Sequence, residues 1–67
     1  MESFTEIVKA WGRADMAADL GVPEERVRNW ERLNTIPDEN WKRLLDKAPK
    51  RNIRISPDLL IDLAARS

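Results

Sequence analysis

The side chains in this sequence that can do chemistry are carboxylates, guanidiniums, amines, amides and a few hydroxyls, because its 67 residues include neither Cys nor His. Without those two types the chain has no thiolate or imidazole nucleophile, no disulfide framework and almost no means of holding a transition metal. Two carboxylate pairs at i, i+4 spacing, Asp15 with Asp19 and Asp58 with Asp62, are the nearest approach to an acid–base or cation site. A hard cation takes six or more oxygens, and no further acids or glycine-rich loop accompany either pair, so both read as solvated surface. No enzymatic activity, cofactor or metal is expected. The densest polar chemistry lies between Glu24 and Arg32, where Glu24, Glu25, Arg26, Arg28, Asn29 and Arg32 surround Val27 and Trp30. Arg28 offers a planar fork that pairs with guanine O6 and N7, and Asn29 a donor and acceptor that match adenine N6 and N7.

Helices must position these residues, and the apolar spacing predicts five. Phe4, Ile7, Val8 and Trp11 repeat at i, i+3, i+4, i+7, with Ser3 placed to cap and Gly12 to stop. Met16, Ala17 and Leu20 give a second helix of about two turns from Arg13, ended by Gly21 as a glycine at positive φ would end it. Pro23 suits the first position of a third helix, whose inner face is read as Val27, Trp30 and Leu33. Asn34 and Thr35 loosen the chain, Pro37 restarts it, and Trp41, Leu44, Leu45 and Ala48 line a fourth helix that Pro49 ends. The stretch from Lys50 to Ile55 reads as extended or loop. Ser56 and Pro57 then open a fifth helix with Leu59, Leu60, Leu63 and Ala64 on one face. Short connections make this a single compact all-α domain over residues 1–67.

Helices two and three are joined by a turn so short that they must cross at a steep angle, which needs a small residue where they touch. Ala17 supplies the close approach and Gly21 the turn, while Val22, Val27 and Trp30 lock the third helix against the second. The string RADMAADLGVPEERVRNWER resembles the helix-turn-helix of phage and prophage repressors and Cro-like regulators, with Ala17, Gly21, Val22, Val27 and Trp30 at that family's small, glycine and apolar places. The likeness continues through Ile36-Pro37, Trp41 and Leu44, as in small Cro-like prophage regulators, and covers roughly half the chain.

The resemblance implies a five-helix lambda-repressor-like domain that acts as a sequence-specific transcriptional regulator, a Cro-like repressor, on double-stranded DNA. Its third helix, about residues 23–33, would lie in the major groove while the second crosses the backbone. Arg28 and Asn29 are then the expected base readers. Glu24 and Glu25 at the same tip have two readings: charge at the helix N-terminus, contributing about 0.3–1 kcal/mol, or a carboxylate that accepts from cytosine N4. Arg13, Arg26, Arg32, Lys42 and Arg43 are the expected phosphate contacts, which position without reading sequence. Lys47, Lys50, Arg51 and Arg54 read first as solvated charges that favour a helix end.

The formal net charge is zero, but its distribution is uneven. Residues 1–25 hold six acids and two bases, and residues 26–54 nine bases and four acids, so the middle of the chain can present a positive face. Trp11, Trp30 and Trp41 sit on apolar stripes and read as core rather than as base-stacking platforms. The start, MESFTE, is acidic and unlike a targeting peptide, and no apolar run approaches the ~20 residues of a membrane span. A cytoplasmic protein that does not meet a membrane is expected. Ile61 lies off the main stripe of the fifth helix, which makes Ile53 to Leu63 the expected surface for a homodimer on a palindromic site. The zero net charge and the Glu24-Glu25 pair support an alternative, a protein-interaction module on the same fold that no longer binds DNA.

Overall fold

Ser3 is extended and its hydroxyl accepts the backbone N–H of Glu6, opening α1 (Phe4–Trp11) with a capped first turn. Gly12, at φ 92°, ends α1 by donating to the Val8 carbonyl and starts α2 (Arg13–Leu20) one residue later. Gly21 follows in the left-handed conformation (φ 68°), and α3 (Glu24–Leu33) begins after Pro23. A Cβ at Gly21 would meet nothing closer than 3.8 Å. Glycine is therefore favoured there by the backbone angle rather than by lack of space. The computed structural model describes residues 1–66, all α-helix, 3₁₀ turn and loop, with no strand among the described residues.

The chain departs from the expected elements at three prolines. Pro23 is the extended residue just before α3 rather than its first turn, and its carbonyl accepts from Arg26 and Val27. Pro37 precedes a 3₁₀ turn, Asp38–Asn40, so α4 (Trp41–Lys47) starts four residues later than the proline suggests. Pro49 does not stop the chain: it lies early in a second 3₁₀ turn, Ala48–Arg51, where a missing N–H costs little. Lys50 and Arg51 thus belong to that turn, and the stop is Asn52, left-handed at φ 57°. The extended segment shrinks to residues 53–56, after which α5 (Pro57–Arg66) closes the chain.

One core joins these pieces. α1 contributes Phe4, Ile7, Val8 and Trp11, α2 Met16, Ala17 and Leu20, and α3 Val27 and Trp30. Ile36, Leu44, Ala48 and Ile53 close it from α4 and its flanks, and Leu60 and Leu63 from α5. The Cα radius of gyration, 10.5 Å, is close to the ~11 Å of a packed chain this long. Trp41 is half-buried: its ring stacks at 6.3 Å from Phe4, and its indole N–H donates to the Ile36 carbonyl (2.8 Å). That bond ties the Ile36-Pro37 turn to the start of α4.

Leu33 is a correction: it is 59% exposed, not a member of the inner face of α3. Steps of three residues fall about 60° short of a full helical turn, so the line from Val27 through Trp30 has rotated off the core by Leu33. Ala64 is likewise exposed on α5, and Leu59 only half-buried.

Candidate nucleic-acid interface

Val27 and Trp30 point α3 into the core, with 0% and 5% of their surface left. At about 100° per residue, the direction opposite that line belongs to Glu25, Arg28, Asn29 and Arg32, spaced i, i+3, i+4, i+7. All four are exposed. Glu24 and Arg26 are also exposed but lie on the two flanks, about 90° and 70° from the buried direction. The helix that carries this stripe opens without a side-chain cap.

Tertiary bonds hold α3 from behind. Asn34 ends it in the left-handed conformation (φ 53°), and its Oδ1 accepts the Thr5 backbone N–H (3.0 Å) in the first turn of α1. The Thr5 hydroxyl donates to the Glu31 carbonyl (2.8 Å). Arg13 Nε, at the start of α2, donates to Glu31 Oε1 at 2.7 Å. α1 and α2 therefore both grip the last turns of α3, leaving the opposite side free.

The cations divide into two sets. Arg13 is paired with Glu31, Arg66 with Asp62, and Arg51 with Asp19 and, at 3.6 Å, Asp15. Among the described residues, Arg26, Arg28 and Arg32 of α3 and Lys42 of α4 have no carboxylate within 4 Å. Arg43 sits between the two sets. Its Nη1 donates to the Leu20 carbonyl (2.9 Å), satisfying the C-terminal end of α2 at the turn. Of the expected phosphate contacts, then, Arg26, Arg32 and Lys42 are free, whereas Arg13 and Arg43 already have bonds within the fold. Among the described residues, Lys47, Lys50 and Arg54 likewise have no ion-pair partner.

No protein-family model, curated protein or solved structure matches this chain.

Asp19 differs from the solvated carboxylate that the sequence suggests. Its Oδ2 accepts from Trp11 Nε1–H and from Arg51 Nε–H, both at 2.9 Å, and Oδ1 accepts from Arg51 Nη2 (3.1 Å). These bonds, Arg51 first and Trp11 second, hold its carboxyl at about 2, below the ordinary 3.8. The same contact raises the Arg51 guanidinium. Arg51 thus fastens the turn after α4 to α2, and Trp11 is both core and donor.

Asn34, which the sequence suggests only loosens the chain, and Asn52, which it leaves within an extended or loop stretch, are both left-handed terminators. The available signal was an asparagine just past a run of helical period, where Asn is a known left-handed terminator. Around the expected dimer surface, Ile53, Leu60 and Leu63 are used by the core, and Ile55 and Leu59 are half-buried. Ile61, 58% exposed, is the large apolar side chain that α5 leaves uncovered. The described residues hold no cluster of three or more acids fit for a metal, and no helix long and apolar enough to cross a membrane.

Proposed function

We propose that this chain is a sequence-specific binder of double-stranded DNA, a transcriptional regulator of the Cro and repressor kind, with α3 in the major groove. The observation that carries the reading is the outward stripe of α3. It sets Arg28 and Asn29 side by side, free of ion pairs, on a helix gripped from the opposite side by α1 and α2. A zero net charge is compatible with this because, among the described residues, the acids engaged in ion pairs are Asp15, Asp19, Glu31 and Asp62, and on α3 the unpaired Arg26, Arg28 and Arg32 outnumber the unpaired Glu24 and Glu25. Arg28 then reads guanine and Asn29 adenine, and Arg26, Arg32 and Lys42 rest on phosphates. Ile61, exposed on α5 away from the core, marks the surface for a second copy on a two-fold site.

Selection of bound sequences from a random DNA pool tests the reading. A motif should be enriched, as two inverted half-sites if the protein binds as a dimer. Three phosphate contacts give a slope of log K against log salt of about −3 per protomer. Arg28→Ala should cost about 1–3 kcal/mol and relax the preference at one base pair. Absence of binding to any duplex at low salt overturns the proposal and leaves the protein-interaction module, favoured by the exposed Glu24, Glu25 and Leu33, as the function to pursue.

A further inference from the structure

The two acids at the head of α3 are equivalent in the sequence but not in the fold. Glu24 lies on the flank, about 90° from the buried line, whereas Glu25 lies about 170° from it, in the outward stripe with Arg28, Asn29 and Arg32. Glu25 also shares a shallow concavity of about 210 Å³ with Pro23, Arg26 and Asn29. Its carboxylate makes no ion pair with any arginine, although Arg26 and Arg28 are on the same helix. The concavity thus sets an acceptor-only group beside an amide that both donates and accepts.

On the reading that α3 enters the major groove, we propose that Glu25 is a specificity-determining residue that accepts from the exocyclic amino group of a cytosine. The base pair it reads neighbours the adenine taken by Asn29. Cytosine is the base that shows the major groove a lone amino donor. Guanine offers two acceptors, which a carboxylate repels, and thymine a carbonyl and a methyl. A carboxylate in that position repels the acceptors of guanine and thymine and the N7 of adenine, whereas cytosine meets it with a donor alone, so it selects by rejection as much as by attraction. Glu24, on the flank, reads no base and lowers affinity for all sequences alike.

Binding profiles of the parent, Glu25→Gln and Glu24→Gln over the same DNA pool distinguish these roles. The parent should prefer cytosine at one position by roughly tenfold over the next base. Glu25→Gln should move that position towards adenine, which glutamine pairs bidentately, and leave the others unchanged. Glu24→Gln should strengthen all sequences by a common factor. A parent motif with cytosine N4-methylated, which places a methyl where the carboxylate would accept, should bind the parent more weakly, whereas Glu25→Ala, with neither acceptor nor bulk there, should bind the modified and unmodified sites alike. If Glu25→Gln instead raises affinity uniformly, or leaves the profile as it was, the cytosine assignment is wrong while DNA binding stands. A parent that selects no motif overturns both readings.

Discussion

Replacing Asn34 separates two kinds of stabilisation that meet at one residue. Its backbone is left-handed at φ 53°, and its side chain accepts the Thr5 N–H of α1 from 29 residues away. Asn34→Ala removes the acceptor, at the ~1 kcal/mol of a lost helix cap. It also places a residue with a Cβ and no compensating side chain in a conformation that costs about 1–2 kcal/mol. The expected loss is about 2–3 kcal/mol. Asn34→Gly removes the same acceptor but relieves the backbone, adding only ~0.5–1 kcal/mol of chain entropy, for a total of about 1.5–2 kcal/mol. A chain this small has roughly 3–10 kcal/mol in all, so both changes are large, and at about 4–8 °C per kcal/mol the alanine variant should melt about 10–20 °C lower. Urea unfolding followed by far-ultraviolet circular dichroism measures the two differences directly. The glycine variant should be the more stable by about 0.5–1 kcal/mol. If alanine is tolerated as well as glycine, or better, the left-handed angle is not what position 34 is selected for.

Two further outcomes follow from the packing and the ion pairs. Leu33→Ala, at a side chain 59% exposed, should change stability by less than about 0.5 kcal/mol, while Leu44→Ala, fully buried, should cost about 2–5 kcal/mol; equal losses in urea unfolding would return Leu33 to the core. Because Asp19 is held at about 2 in the folded chain and titrates near 3.8 when free, the folded state binds fewer protons between those values. Its contribution is complete above about pH 4–5 and lost as the pH falls through 2. The stability difference between the parent and Asp19→Asn should accordingly be widest near neutral pH and close towards pH 2, and a difference independent of pH would show that the carboxylate's charge is not what Trp11 and Arg51 hold.

The parts of the fold that were legible in the sequence are those set by neighbours along the chain. Ser3 and Gly12 bound α1, Gly21 turns α2 into α3, and Val27 and Trp30 fix which side of α3 is buried, all within a few residues of one another. Helical period alone was enough to place Arg28 and Asn29 outward. Leu33 escaped because a period of three was read as if it were 3.6. Pro49 escaped because a 3₁₀ turn tolerates a proline that an α-helix would not. The roles of Arg13, Arg43, Arg51 and Asn34 were not legible for a different reason. Their partners Glu31, Leu20, Asp19 and Thr5 lie 18, 23, 32 and 29 residues away, and nothing local says which surfaces will meet. Thus two of the arginines that looked suited to phosphate are bonded within the fold, and the candidate interface is narrower than the basic stretch of the sequence.

The three tryptophans give this small domain a set of internal reporters. Trp11 in α1 donates its indole N–H to a carboxylate, Trp41 at the start of α4 donates to a backbone carbonyl, and Trp30 is buried on the core side of α3, next in the chain to Asn29. Each indole therefore sees a different field, and single-tryptophan versions would emit at distinguishable wavelengths. Trp30 moves with the very helix whose outer face is assigned to the bases. Its emission can follow the seating of α3 on a ligand without any label on the interface itself.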